Sequence, residues 1–289
     1  MSAGRQGAPI WERSVAGLGV CLEVQREVLH RKTAFQEMEI ADTPTFGRVL
    51  SLDGRFMLSD RDEAFYHEML VHPALLAHPH PQHVVVVGGG DGGALREVLA
   101  HPLVTQAVLV EIDAEVVAAA KEHLKSVHRG SLENPRVHVV IGPGEEYVAQ
   151  AREMFDVIVV DSTDPIGPGK ALFSWQFFQN CRRALRPGGF LALQVGSPFY
   201  FPGEFVETLQ ALKAHFPVVL PYLGFVPLYP GGLWAYALAG QDDARSVPDL
   251  SRRFQGRGLK TRYYRPELQS AAFVLPQFVA ELAEKAGVS

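Results

Sequence analysis

Val84-Val85-Val86-Val87-Gly88-Gly89-Gly90-Asp91-Gly92-Gly93 is the stretch whose reading decides the fold. Four consecutive valines lack the polar–apolar alternation of a half-exposed strand and fit a strand buried on both faces, as in a parallel sheet covered by helices. The glycines then make a tight turn, and Ala94–Ala100 has helical composition. Strand, glycine turn and helix follow in the order of a nucleotide-binding βα unit. Glu111 lies about 20 residues further on, near the end of the next strand, where a carboxylate accepts hydrogen bonds from ribose hydroxyls.

Outward from this unit the alternation continues. Glu63–Leu76 reads as a helix, Ala114–Leu124 as the next, Val137–Ile141 and Val157–Val160 as buried strands, and Trp175–Leu185 as a further helix. Arg186-Pro187-Gly188-Gly189 then turns the chain into a strand at Phe190–Val195. The expectation is an α/β fold with a Rossmann-like, methyltransferase-type, doubly wound parallel sheet. Before it, Gly19–Val24, Phe35–Ile40 and Arg48–Leu52 read as short strands, and Asp53-Gly54 joins the last to Arg55–Leu58 as a hairpin. Residues 1–61 are therefore expected to form a small antiparallel β domain, and 62–289 the catalytic domain. The tail after Gln241 is polar, then mildly helical over Pro276–Ala286, and carries little signal.

Composition narrows the function. With 32 acidic and 27 basic residues the net charge is −5, and no run of Lys or Arg suits a phosphate backbone, so nucleic acid is not expected as a partner. Cys21 and Cys181 lie far apart, which fits a reduced cytoplasmic protein. The first residues lack the apolar core of a signal peptide, and the longest apolar runs are strand-sized, so no membrane span is expected. His78, His80 and His83 are interrupted by Pro79 and Pro81 with no carboxylate or cysteine beside them; no metal site is expected there, and these histidines, with His72, His123 and His128, read as surface or packing residues.

Gly88, Gly90 and Gly93 formally fit a dinucleotide-binding spacing, but Asp91 would oppose a pyrophosphate at the helix N-terminus. A methyltransferase would carry an acid where Val86 stands. Asp91 lies near the expected methionine end of an S-adenosyl cofactor, where it would repel a carboxylate and welcome a donor that has lost one. The reading is a decarboxylated S-adenosylmethionine co-substrate, with no permanently bound cofactor. Asp161 and Asp164 follow a buried strand at the crevice end of the sheet. An alkylamine is mostly protonated at pH 7, with a pKa of about 10. A positioned carboxylate base is needed before it can attack the carbon beside a sulfonium. Asp161 and Asp164 could instead cap the following turn.

Lys32–Gln36, Gly47–Gly54, Asp62-Glu63-Ala64-Phe65-Tyr66-His67-Glu68-Met69, Gly88–Gly93, Glu111-Ile112-Asp113, Asp161–Pro168 and Tyr229-Pro230 together resemble the spermidine synthases, the polyamine aminopropyltransferases, over nearly the whole chain. The resemblance implies a homodimer or homotetramer acting on a diamine, by default putrescine, and a nucleoside sulfonium. It also implies roles: Asp161 as general base; Tyr66, His67, Asp91, Asp161, Asp164, Gln194 and Tyr229 around the amine; Gln36, Gly88, Gly90, Glu111, Pro143, Gly144 and Pro168 around the nucleoside. One position departs from the pattern. Pro143 stands where the family has an aspartate that accepts from the adenine amino group, and proline offers no side-chain acceptor. Other groups then hold the adenine, or the nucleoside is bound more weakly by about 0.5–1.5 kcal/mol, or nucleoside preference is altered. Agmatine or cadaverine as acceptor, methyl transfer, nicotinamide-dependent oxidoreduction and a catalytically inactive polyamine sensor are the rival readings.

Overall fold

The computed structural model describes residues 8–15, 17–163 and 167–288. β1 (Ile10–Val15) and β2 (Leu18–Leu22) form an antiparallel pair. β3 (Arg26–Lys32), β4 (Glu37–Thr43), β5 (Gly47–Leu52) and β6 (Arg55–Ser59) form a four-stranded antiparallel sheet. Asp53 and Gly54 both have positive φ, 48° and 70°, the backbone a two-residue hairpin turn of this hand requires. The sequence pattern did not distinguish β1 and β3.

α1 (Glu63–Ala77) leads into β7 (His83–Gly88), α2 (Gly93–Ala100), β8 (Gln106–Glu111), α3 (Ala114–His123), a short α4 (Lys125–His128) and β9 (Val137–Ile141). α5 (Gly144–Gln150), β10 (Phe155–Asp161), α6 (Trp175–Ala184), β11 (Leu185–Gly196), α7 (Pro202–Lys213), β12 (Val218–Phe225) and β13 (Leu233–Gly240) follow, and α8 (Leu250–Gly256), α9 (Pro266–Ala272) and α10 (Gln277–Lys285) end the described chain. The large sheet has seven strands in the order β12-β13-β11-β10-β7-β8-β9. β9, β8, β7, β10 and β11 run parallel, whereas β13 is antiparallel to both β11 and β12. The order reverses between β7 and β10, which opens a crevice beyond their carboxyl ends.

The valine run is buried on both faces as its composition implies. Val84 and Val86 pack with Leu70, Ala74, Leu95 and Val98 from α1 and α2. Val85 and Val87 pack on the other side with Val148, Phe177 and Phe178 from α5 and α6. α1 is apolar on almost all sides and is buried accordingly. Pro73 lies inside it and lacks the N–H that would bond Met69; the Tyr222 hydroxyl donates to the Met69 carbonyl at 2.8 Å instead.

The C-terminal segment does more than its sequence signalled. Glu68 on α1 accepts backbone N–H bonds from Arg262, Tyr263 and Tyr264 at 2.8, 2.8 and 2.7 Å. The last carbonyls of α1 have no helical partner of their own, and Arg253 and Arg257 donate to Leu76, Ala77, Leu75 and His78. Arg257 also meets His101, which bonds His72, so His72 belongs to a buried polar network. Arg257→Ala would strand these carbonyls. The expected cost is about 3 kcal/mol, read by circular dichroism as a fall in Tm of roughly 6–12 °C; an unchanged Tm would show that water replaces the guanidinium freely.

Candidate active site

Four segments meet at the carboxyl ends of β10, β7 and β8. Asp161 ends β10 and pairs in register with Gly88. Any side chain on Gly88 would collide with the Asp161 backbone, so glycine here follows from close strand-end packing as well as from its φ of 79°. Gly93 has no room for a side chain either, because the His67 ring lies against it. The loop between them carries Asp91, whose Oδ1 accepts from Gly93 N at 2.7 Å.

His67 is the hub. Its Nδ1 lies 2.9 Å from Glu63 Oε2, and its Nε2 lies 3.5 Å from Asp91 Oδ1 and 3.9 Å from Asp161 Oδ2. Burial opposes charge on the ring, but the Glu63 hydrogen bond and the carboxylates of Asp91 and Asp161 outweigh it and raise its pKa to about 9. Glu63 is itself fixed by Arg96, which donates to both of its oxygens at 3.0 and 2.8 Å. Burial raises the pKa of Asp161 to about 6, with the Asp91 charge adding, while His67 and the Tyr66 hydroxyl pull the other way. Asp161 Oδ2 has no hydrogen-bond partner among the described residues. The arrangement is a buried carboxylate in reach of an incoming donor, beside a cation that keeps it from rising further.

Glu111 ends β8 and accepts from Gly90 N at 3.1 Å and Asp113 N at 2.9 Å. Burial lifts its pKa to about 7, against these two bonds and with Asp113 and Asp91 adding. Asp113 in turn accepts from the Thr33 hydroxyl at 2.6 Å and Gln36 Nε2 at 3.1 Å, so the turn between β3 and β4 is tied to the strand end that carries Glu111. Gln36, Gly88, Gly90, Glu111 and Gly144 line one cleft with Tyr66, His67, Asp91, Asp161 and Tyr229. An adjoining cavity shares Tyr66 and Tyr229 with it and adds Gln194.

Gln194 spends its amide on the protein: Nε2 donates to the carbonyls of Ser162 and Thr163 at 3.3 and 3.4 Å, and Oε1 accepts from Gly196 N at 2.7 Å. It thereby ties the ends of β10 and β11 beside the cavity. The Tyr229 hydroxyl donates to Met57 O at 2.7 Å. Pro143 takes the N-cap position of α5 with no side-chain cap bond, and its neighbours Gly144 and Glu145, but not Pro143, face the cleft. Asp164 lies outside the described residues; Pro168 falls in the 3-10 segment Gly167–Phe173, with its side chain also outside them. His67, Asp91 and Asp161 have the spacing of a metal-ligand group, but a largely protonated imidazole is a poor ligand. Glu63 and Arg96 escaped the sequence reading, although Glu63 stands one helical turn before His67.

Two family models match the chain: a spermine/spermidine synthase domain over residues 63–248 and a spermidine synthase tetramerisation domain over residues 10–60. A polyamine aminopropyltransferase of Bacillus subtilis is 39% identical over 272 residues, 94% of this chain and 97% of that protein. One of Moorella thermoacetica is 42% identical over 284 residues, 95% of this chain and 96% of its own. The structure of a spermidine synthase in complex with the transition state analogue AdoDATO superposes with a TM-score of 0.93 at 36% identity, covering 98% of this chain and 96% of that one. Spermidine synthase from Thermotoga maritima superposes with a TM-score of 0.91 at 35% identity, covering 99% and 96%. Matched by the family model over more than half of its residues and by relatives over nearly its whole length, the chain belongs to the spermine/spermidine synthase family.

Proposed function

We propose that this protein is a polyamine aminopropyltransferase that moves the propylamine arm of decarboxylated S-adenosylmethionine to putrescine, giving spermidine and 5′-methylthioadenosine. The observation that carries the reading is Asp161: a buried carboxylate at the strand end with a pKa near 6 and an oxygen that has no hydrogen-bond partner among the described residues, lining the cleft next to Ser162 and Thr163, which border the adjoining cavity as well. The amine nitrogen attacks the propyl carbon next to sulfur. The C–S bond breaks toward sulfur, leaving a neutral thioether, and the nitrogen's proton passes to Asp161.

The other residues position the two substrates. Glu111 and Gln36 bind the ribose side, Gly88 and Gly90 let the donor approach the backbone, and Gly144 borders the adenine. Asp91 receives the donor's ammonium and repels a donor that keeps its carboxylate. His67, held by Glu63, steadies the charge on Asp161, while Tyr66, Tyr229 and Gln194 shape the amine cavity; Asp164 and Pro168 complete the set by resemblance. Residues 1–61 and 62–289 act as an assembly and a catalytic domain, in a dimer or tetramer of the cytoplasm. No helix among the described residues is long and apolar enough to cross a membrane.

Mass spectrometry of the purified protein with decarboxylated S-adenosylmethionine and a panel of amines tests the reading. Spermidine with methylthioadenosine is the expected result; methylated product from S-adenosylmethionine would replace it with methyl transfer. Glu111→Gln should weaken methylthioadenosine by about tenfold, the loss of a charge-assisted bond, measured by calorimetry. An unchanged Kd would remove Glu111 from the nucleoside site.

A further inference from the structure

Arg96, on α2, holds two buried acids at once, and one of them is the acid that holds His67. Its side chain is 12% exposed, against 2% for Glu63 and 8% for Glu97. Nε donates to Glu97 Oε1 at 2.6 Å, and Nη2 pairs with the same oxygen. Nη1 donates to Glu63 Oε1 at 3.0 Å and to the Val127 carbonyl, and Nη2 to Glu63 Oε2 at 2.8 Å. Every N–H of the guanidinium thus has an acceptor. An ammonium offers its donors from a single atom and cannot span both acids.

The consequence reaches the site through one oxygen. Glu63 Oε2, gripped by Nη2, is also the acceptor for His67 Nδ1 at 2.9 Å. A carboxylate held by a two-pronged donor has its plane fixed, so the ring that donates to it is fixed as well. The opposite nitrogen, Nε2, then faces Asp91 Oδ1 at 3.5 Å and Asp161 Oδ2 at 3.9 Å. The far side of Arg96 is anchored too. Glu97 Oε2 lies 3.2 Å from His72 Nε2, His72 Nδ1 lies 3.0 Å from His101 Nε2, and His101 Nδ1 faces Arg257 Nη1 at 3.2 Å. An arginine can only donate. His101 therefore accepts at Nδ1 and donates from Nε2, and His72 accepts at Nδ1 and turns its Nε2–H to Glu97.

We infer that Arg96 is a positioning residue for the transfer reaction: through Glu63 it holds the His67 ring with Nε2–H toward Asp91 and Asp161. The inference rests on the aminopropyl-transfer reading for what Asp161 does. It differs from a purely structural role, in which Arg96 only ties α2 to α1 and α4 and the state of His67 is irrelevant to it. Among the described residues, the charged groups facing His67 are Glu63 on its own helix, Asp91 in the turn before α2 and Asp161 at the end of β10. Tyr66 and, on β13, Tyr236 lie close enough to Asp161 to feel its charge.

The first test is a pH titration of His67 by heteronuclear NMR on isotope-labelled histidines, its signal identified by its loss in His67→Gln. Arg96→Lys keeps a positive charge and removes the fork, so the Glu63 bond to His67 loosens and burial prevails. His67 should then lose its proton well below the wild-type value of about 9. In turnover the same variant should lower kcat by about tenfold, the order of one lost charge-assisted bond. KM for the sulfonium donor should stay within about twofold, since the nucleoside contacts are untouched. Added to His67→Gln, Arg96→Lys should cost less than about twofold more, because its route to the site is already gone. Glu63→Gln, which leaves the guanidinium in place, should repeat the pattern and serves if Arg96→Lys does not fold. An unshifted His67 titration, or equal losses of kcat with and without the imidazole, would overturn the assignment. A wild-type protein that transfers nothing would overturn the proposed function instead, and the His67 titration would still decide the role of Arg96.

Discussion

Asp161→Asn should lower turnover by roughly 10²- to 10⁴-fold, the contribution of a positioned general base, while raising the melting temperature. The two effects share one cause. In the unfolded chain the Asp161 carboxyl titrates near 3.8, and in the folded protein burial moves this to about 6. Folding therefore favours the protonated form. The favourable contribution is complete below pH 3.8, is lost as pH rises toward 6, and at pH 8 the charged group weakens the fold. Two pKa units correspond to about 3 kcal/mol. That figure is already net of the attraction to His67, so a gain of up to about 3 kcal/mol is expected, several degrees in Tm for a domain of this size. Methylthioadenosine affinity should stay within about threefold, because Asp161 acts on the amine. Scanning calorimetry at pH 8 with steady-state kinetics separates the possibilities. A variant that loses both activity and stability would mark Asp161 as a structural cap on the following turn. One that keeps activity would move the base elsewhere.

How much of this was legible in the sequence depended on whether a feature is local. The valine run, the glycine turn and the helix from Glu63 are short-range patterns, and the structure places them where the patterns do, α1 ending one residue later at Ala77. β12 and β13 left no such trace. Leu233-Trp234-Ala235-Tyr236-Ala237-Leu238-Ala239-Gly240 is rich in alanine, a helix former, and Pro221 and Gly224 interrupt β12. These segments are strands because they extend a sheet already formed, with Ala235, Ala237 and Ala239 buried against it. β11 likewise begins at Leu185, through the expected turn at Arg186–Gly189, because Leu185 pairs with Phe155 before the register shifts. At the site, Asp91, Glu111 and Asp161 were visible because each ends a recognisable strand or turn. Arg96 was not, since its partner Glu63 lies 33 positions away and is brought to it only by packing. The arginines of the C-terminal segment were hidden for the same reason. Their partners are carbonyls, which every residue type presents alike.

The pH dependence should distinguish the two acids that burial has moved. Measured at saturating amine, kcat/KM for the sulfonium donor reports groups of the free site. Glu111 accepts ribose hydroxyls best when charged, above about pH 7, and Asp161 accepts a proton only when ionised, above about pH 6. Both are raised carboxylates, so activity is lost as pH falls through each in turn. The donor kcat/KM should leave its plateau near pH 7, steepen below pH 6, and at pH 5 stand roughly 10²- to 10³-fold lower, the product of two titrating fractions. Once both substrates saturate the site, the bound ribose holds Glu111 in its accepting form, and kcat should keep only the limb near pH 6. Glu111→Gln should erase the upper limb from kcat/KM and leave the lower one. Asp161→Asn should flatten what remains. His67, charged up to about pH 9, lies between Asp91 and Asp161, and removing its charge should push the lower limb upward, toward neutral pH. A single limb near pH 4 would mean that the charged carboxylates are no harder to form inside the cleft than in water, and the case for Asp161 as a buried base would fail with it.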